Sequence, residues 1–437
     1  MKRYPFVILS LLATLTSVHL PTHAQEGDTV YTEQYLRKST RFAWTHFGGD
    51  VLVQSGGTAD YVSRTGGVSN TRFGVSAIPR LTIGGMHFWG HADFYVTFPL
   101  PFFLAQRPSG FSDWLYRSGV ETGARVYPWR LKPGRLSPYA GISFRRLVYG
   151  HASVGVDEGR GFPKYERWVS PLQLGVTYTS QKWHFTAGLH YLLNNDFQYA
   201  LSPTQFGNVT LNPLSFNIGL TRYIDTDRSM ASAESARQEN AKLELLKKYR
   251  RLSTWYVGIG PSSALEVARS PYTAAYHPYL NDDQSSDLML DFTFGRYFGK
   301  PDLNIGVSYR RMSSRQEAFD TELWRRRRSF MLEAYKFLGN YHGFVPYVGP
   351  TLSVESLTFT DNGQRTAELK PALGIIAGWD IRVTRTGTSL LRTNLRWTPN
   401  LHLIAEGEKV MFNHLEFNFI QWVHFFGRNK VYQANRK

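Results

Sequence analysis

The chain contains no cysteine in its 437 residues. That excludes disulfides, thiolate metal sites and cysteine nucleophiles. After the first two dozen residues it also lacks any long apolar run, and nothing approaches the roughly 18 consecutive apolar residues of a spanning helix. Mean hydropathy is only −0.32. Catalytic signatures are missing as well. There is no G-x-S-x-G, no H-E-x-x-H and no phosphate-cradling loop that opens a helix. Gly258-Ile259-Gly260 lies in an alternating strand without the βα context of a dinucleotide site. His184 and His190 share one face of a strand, but six residues of strand put them about 20 Å apart, too far to share an ion. The expectation is a chain that is not an enzyme and carries no metal and no cofactor.

What is present begins with an address. Lys2 and Arg3 precede an apolar run from Phe6 to Val18, and Thr22-His23-Ala24 offers small residues before a cut at Ala24. This is the layout of a secretory signal, so residues 1–24 are excluded from fold reasoning. Aromatic residues then make up 15% of the chain, with 25 Tyr and 29 Phe, and they are dispersed along it. The dispersion has period two. Leu172, Leu174, Val176 and Tyr178 oppose Gln173, Gly175 and Thr177, and Leu303, Ile305, Val307 and Tyr309 oppose Asn304, Gly306, Ser308 and Arg310. Faces this different need two different solvents, lipid outside and polar packing or water inside. Roughly sixteen such runs occur, each about ten residues long, the length that a tilted strand needs to cross a bilayer. Their connections alternate long and short. Residues 55–71, 99–115, 151–167 and 195–212 are long; Gly84-Gly85, Lys132-Pro133-Gly134 and Ser180-Gln181 are short. A soluble sandwich has no reason to keep that alternation.

The chain also repeats itself. Ser137-Pro138-Tyr139-Ala140-Gly141 recurs as Val345-Pro346-Tyr347-Val348-Gly349, Pro171 aligns with Pro371, and Asn212-Pro213-Leu214 aligns with Asn413-His414-Leu415. All are spaced about 200 residues apart, as a duplicated eight-strand unit requires. Between the copies, residues 229–251 are rich in Ala, Glu, Lys and Leu, with Leu243, Leu246 and Tyr249 at helical spacing. The expected organisation is a short periplasmic segment over 25–40, a first β repeat over 41–227, a periplasmic helical linker over 228–252, a second β repeat over 253–427 and a basic tail over 428–437. The linker is read as a solvated spacer, or as an amphipathic helix resting on the inner leaflet through Lys247, Lys248, Arg250 and Arg251. The fold class is all-β, a transmembrane antiparallel β-barrel. One ring of about sixteen strands is expected, with two tandem eight-stranded barrels as the alternative.

This pattern resembles the outer-membrane β-barrel proteins of Gram-negative bacteria, and each half resembles one of their small eight-stranded barrels. The resemblance is architectural, spans about Arg41 to Gly427, and carries no functional residues across. It implies the cell outer membrane as location, and outer-membrane lipid, lipopolysaccharide and the outer-membrane assembly machinery as partners. Many such proteins end on an aromatic residue that the machinery reads; here Phe425-Phe426 is followed by the tail. The net charge of +16 suits anionic lipid or solutes, not nucleic acid, in an exported protein. Alternation places Glu121, Arg125, Arg145, Asp291, Arg310, Asp380, Arg392, Arg396 and Glu416 inside as lumen-lining candidates. Arg146, Arg311 and the run Arg325, Arg326, Arg327 and Arg328 lie at outer strand ends and are candidates for lipopolysaccharide contact, because guanidinium pairs with phosphate bidentately. The apolar loop over 99–115 is expected to pack on its neighbours, constrict the mouth or meet a hydrophobic ligand. Residues 25–40 are too short for the plug of an energised transporter. The leading functional expectation is a passive pore for small solutes, and its rival is a closed structural or interaction barrel.

Overall fold

The computed structural model describes residues 30–34, 44–155, 160–224, 232–280, 288–338, 343–382 and 384–430. The signal over 1–24 and most of the segment over 25–40 and of the tail lie outside the described residues. The first repeat contains β1 (Trp44–Gln54), β2 (Gly57–Val62), β3 (Val68–Phe73), β4 (Ser76–His87), β5 (Ala92–Pro99), β6 (Leu104–Ala105), β7 (Phe111–Val126), β8 (Arg135–Ser153), β9 (Tyr165–Val169), β10 (Leu172–Thr179), β11 (Trp183–Tyr191), β12 (Asp196–Ala200), β13 (Phe206–Leu211) and β14 (Leu214–Ile224). Helix α1 (Ala233–Lys248) follows. The second repeat contains β15 (Thr254–Glu266), the short helix α2 (Pro271–Tyr276), β16 (Met289–Phe298), β17 (Leu303–Ala318), β18 (Thr321–Phe337), β19 (Gly343–Asp361), β20 (Gln364–Arg382), β21 (Ser389–Trp397), β22 (His402–Ala405), β23 (Glu408–Met411) and β24 (His414–Phe425).

Sixteen of these strands form walls, and they close as two rings of eight, not as one ring of sixteen. In the first, β1 pairs antiparallel with both β4 and β14, completing the circuit β1-β14-β11-β10-β8-β7-β5-β4. In the second, β15 pairs with β16 and β24, completing β15-β16-β17-β18-β19-β20-β21-β24. Once the first and last strands of each copy have bonded to each other, neither ring has an edge left to offer the other. The tandem closure is therefore the one the chain adopts. Side by side, the rings meet where Phe98 of β5 and Phe419 of β24 stack edge to face at 6.1 Å.

The repeated motifs occupy equivalent strands. Ser137–Gly141 starts the fifth wall strand of the first ring and Val345–Gly349 the fifth of the second. Tyr139 lies against the inward glycines Gly175 and Gly188, where an added Cβ would sit 2.5 and 2.3 Å from its hydroxyl; Tyr347 lies in the same way against Gly378 at 2.7 Å. A narrow ring must drop a side chain wherever a tyrosine crosses the interior. This accounts for the recurring aromatic and glycine residues of the sequence.

Outside, the alternating apolar residues face away from the interior and are exposed, among them Leu174, Ile218, Phe330 and Leu332. That exterior is suited to lipid. Among the described residues no helix is long and apolar enough to cross a membrane, which says nothing about strands. Several expected loops are themselves strands. The stretch over 55–71 contains β2, and that over 195–212 contains β12 and β13; with β3 they form a four-stranded sheet over the mouth of the first ring. β19 and β20 each run 19 residues, about twice what crossing requires, and turn tightly through Asn362 and Gly363, both at positive φ (45° and 89°).

Helix α1 is capped by Ser232, whose hydroxyl accepts from Ser235 N at 3.1 Å. It buries Ala236, Glu239, Leu243 and Leu246. Leu243 and Ala236 cluster with Tyr31 and Leu252. Tyr31 and Asn240 exchange two 2.7 Å bonds, and Arg385 N donates to the Tyr31 hydroxyl at 2.9 Å. The apolar stripe of the helix is thus spent on Tyr31 and Leu252, beside the turn between β20 and β21 of the second ring. Burial pushes the Tyr31 phenol well above its ordinary range.

Candidate functional site

All nine expected lumen residues point into the two interiors and are buried. They contact one another and their neighbours, not an open channel. In the first ring Arg80 makes a bidentate pair with Asp50 (2.7 and 2.6 Å) and reaches Glu121 at 2.6 Å. Tyr95 donates to Glu121 at 3.0 Å, and so does Gln173. Arg145 stands opposite Glu121 in the register and lies 3.5 Å from Ser215 Oγ. Lower in the ring, Arg125 lies 3.3 Å from Asp93 and 4.0 Å from the centre of the Tyr95 ring, and His46 Nε2 is 2.6 Å from Asp93 Oδ1. Asp50, Asp93 and Glu121 therefore balance Arg80, Arg125 and Arg145.

The second interior is denser in charge. Asp380 is held by Arg392 (2.6 and 3.0 Å) and by Arg382 (2.9 Å from Nε), and Arg392 donates to Tyr335 at 2.6 Å. Arg396 bridges Glu333, at 2.7 Å, and Asp291. Arg310 meets Glu416 at 2.7 Å; Arg327 meets Glu416 at 3.0 Å and Glu355 at 2.7 and 2.9 Å; Arg325 meets Glu266 at 2.6 and 2.8 Å. Six carboxylates again face six guanidiniums. Eight strands leave an interior that side chains fill, and here they fill it with a neutral ladder. A cavity of about 10 Å³ beside Arg145, Tyr116 and Ser215 has room for about one water.

The six candidates for lipopolysaccharide contact divide. Arg325 and Arg327 are buried in the ladder, a correction that follows from strand geometry, since four consecutive arginines on one strand must alternate between faces. Arg146 is partly buried and engaged by Glu166. Arg311, Arg326 and Arg328 project outward. Arg311 pairs with Arg328 across β17 and β18, and Arg326 lies 3.8 Å from the centre of the Trp324 ring. The next outward pair in the register is Tyr309 and Phe330, with ring centroids 4.8 Å apart.

Both outer mouths are covered. Over the first, Phe73 packs on Tyr116 and Tyr149 at 5.3 and 5.7 Å, and Tyr165 stacks on Phe197 at 3.9 Å. His151, at the outer end of β8 and beyond the membrane, is pushed down to about 3 by burial and stays neutral at ordinary pH. Over the second, α2 and the β22–β23 hairpin close on Leu323, Leu357 and Phe359. The two covers touch. Arg160 pairs with Asp320 at 2.6 Å, and a cavity of about 260 Å³ lies among Tyr165, Tyr199 and Phe206 of the first repeat and Arg269, Tyr279 and Leu280 of the second. The apolar loop over 99–115 does not enter the lumen. Phe111 and Trp114 join the outer cluster, β6 pairs on the outside of β4, and Phe102 and Leu104 are exposed.

Sequence reasoning missed Asp50, Arg80, Asp93, Glu266, Glu333, Glu355 and Arg382. Parity was the available signal, for Glu333 shares the parity of Arg327 and opposes Phe330 and Leu332. Among the described residues, no group of three or more His, Asp or Glu is placed to hold a metal ion.

No family model matches the chain, and no curated protein matches it. Solved structures similar to it are outer-membrane proteins. Neisserial surface protein A is 17% identical, with 39% of this chain and 96% of that chain covered and a TM-score of 0.28. Ail, the attachment invasion locus protein of Yersinia pestis, is 11% identical over 40% and 97%, with a TM-score of 0.27. The COG4313 outer membrane channel from Pseudomonas putida F1 is 8% identical over 93% and 100%, with a TM-score of 0.23. The two smaller proteins each correspond to less than half of this chain. Likeness of this degree carries no functional argument.

Proposed function

We propose that this outer-membrane β-barrel protein is a closed tandem barrel that works through its outer surface and is not a solute pore. The observation that carries the reading is the pair of charge-balanced side-chain ladders filling both interiors. A conducting path would have to break several buried ion pairs at once, each costly to open without a replacement partner. The ordered outer covers, with cores of their own, support the same reading, since mobile gates would need few buried contacts. The test is single-channel recording from the refolded chain in planar bilayers. Silence from well-folded protein is expected; large, steady conductance steps would restore the pore.

Contact with the phosphates of outer-leaflet lipid belongs to this proposal and is assigned to Arg311, Arg326 and Arg328. These guanidiniums face outward directly beyond the aromatic pair Tyr309 and Phe330, the order in which headgroup follows acyl chain. Replacing all three with Gln is expected to lower lipopolysaccharide association severalfold while the fold stays intact. Replacing Arg325 and Arg327 instead is expected to damage folding, because it strands Glu266 and Glu355 and leaves Glu416 with Arg310 alone. Unchanged association of the triple variant would remove this assignment.

A further inference from the structure

The end of both rings that carries the short turns has a row of unpaired cations around its outside. In the first ring Arg222 of β14 stands opposite Trp183 of β11. Tyr223 N donates to the Lys182 carbonyl at 3.0 Å, which brings Lys182 beside Arg222. In the second ring Arg296 of β16 stands opposite Trp255 of β15. Its guanidinium lies 5.7 Å from the centre of the Trp255 ring and 5.2 Å from that of Phe298. Lys300 follows in the turn between β16 and β17, and Lys336 near the end of β18. All five cations are exposed, and among the described residues none pairs with a carboxylate. The outward faces of these strands bear no Asp or Glu at this end. Asp302, in the same turn as Lys300, accepts from the Tyr297 hydroxyl at 2.6 Å.

Trp183 and Trp255 put this row at a membrane boundary. They are 40% and 48% exposed, and exposed Trp at the end of an apolar wall marks the level where acyl chain gives way to headgroup. One face of β18 carries both boundaries. Arg328 and Lys336 point outward, with Phe330, Leu332 and Ala334 between them. That stretch runs about 26 Å along the strand, close to the apolar band of about 25 Å on such barrels. Tilt shortens the span, and the reach of the two long side chains restores it. In the order of the rings β11 lies opposite β5 and β18 opposite β24, and β5 and β24 are the strands that meet. Lys182, Arg222 and Lys336 therefore face lipid and not the neighbouring ring.

We propose that this end lies in the periplasmic leaflet and that the row binds anionic phospholipid there, with a headgroup of the phosphatidylglycerol kind. A guanidinium and an ammonium side by side, as in Arg222 and Lys182, hold one phosphodiester from two directions. A zwitterionic headgroup brings the same phosphate together with an ammonium group. That ammonium would meet only further cations, since no carboxylate stands on this face to receive it. The row thus selects by charge among lipids that the apolar wall admits alike. The inference goes beyond the closed-barrel reading and holds whether or not the rings conduct.

The test refolds the full chain into vesicles with phosphatidylethanolamine in excess over phosphatidylglycerol, and identifies the lipids that stay bound by native mass spectrometry. Bound phosphatidylglycerol is expected to exceed its share of the vesicle roughly tenfold. Replacing Lys182, Arg222, Arg296 and Lys336 together with Gln is expected to return the bound lipid to the vesicle ratio. Exchanging Lys for Arg and Arg for Lys at the same positions is expected to keep the enrichment. These side chains are exposed, and a heat-modifiability gel verifies that each variant is folded. Replacing Arg311, Arg326 and Arg328 with Gln is expected to leave the enrichment unchanged, which separates this row from the contact at the opposite end. For sidedness, Lys182→Cys in the otherwise cysteine-free chain is expected to resist a large maleimide on intact cells and to react once the outer membrane is opened. Bound lipid at the vesicle ratio in the wild type, enrichment that survives the Gln substitutions, or labelling on intact cells overturns the proposal. No enrichment together with silent bilayers would sink this row alone and leave the closed-barrel reading standing.

Discussion

Arg396→Met is expected to destabilise the second ring by about 3–5 kcal/mol, the usual cost of removing one partner from a buried ion network. Arg396 is fully buried and bridges Asp291 and Glu333. Without it both carboxylates lose a counterion where no water can replace it. Asn418 still donates to Asp291 at 2.8 Å and Ser308 to Glu333 at 2.6 Å, but neither carries charge. Arg310 lies 3.9 Å from Glu333 and is already committed to Glu416. Urea unfolding in lipid, followed by gel mobility, measures the effect. Adding Asp291→Asn and Glu333→Gln to Arg396→Met removes the stranded charge and should recover most of the loss. A single variant within about 1 kcal/mol of wild type would mean that the interior is wet enough to screen the ladder, and with it the closed-barrel reading would fall.

Gly349→Ala is expected to cost about 3 kcal/mol or more, or to prevent refolding, because overpacking against rigid neighbours is the expensive kind. A Cβ at Gly349 would sit 1.9 Å from the Ala334 carbonyl oxygen and 2.6 Å from Tyr335 Cα, both backbone atoms of the adjoining wall strand. The bonded pairs Glu333–Thr351 and Lys336–Val348 hold that stretch of backbone in place on either side. Its counterpart in the first repeat, Gly141, would meet the Ala124 carbonyl at 2.4 Å in the same way. Gly74→Ala is the control, since nothing lies within 4 Å of a Cβ there and its φ is ordinary. Refolding yield and urea midpoint of the two variants should separate clearly. Equal behaviour would mean that the recurring glycine is not a close-approach position.

The division of the candidate site follows from what each kind of signal encodes. Period-two alternation is local, and it puts Glu121, Arg310 and Glu416 on the inward face of their strands, where the three side chains are buried. Applied strictly to Arg325–Arg328 it would also have separated Arg325 and Arg327 from Arg326 and Arg328; treating the four as one basic run obscured this. The partners of those side chains were not legible. Arg396 finds Glu333 from 63 residues away and Asp291 from 105, across strands whose register no local pattern specifies. Outer hairpins were mistaken for loops because the sheet over the first mouth packs on an aromatic cluster of its own and needs no lipid-facing period.

By itself the sequence determined that the chain is built of about sixteen amphipathic strands in two similar copies, since side-chain alternation and turn spacing are properties of each segment alone. It determined also that a helix joins the copies. Only the tertiary structure decided how the rings close and that the interiors are full. Those depend on which strand edge meets which. Edge pairing is a non-local choice, made when β1 bonds β14 and β15 bonds β24, and one repeat carries the same local pattern whether its ring shuts on itself or opens to its neighbour.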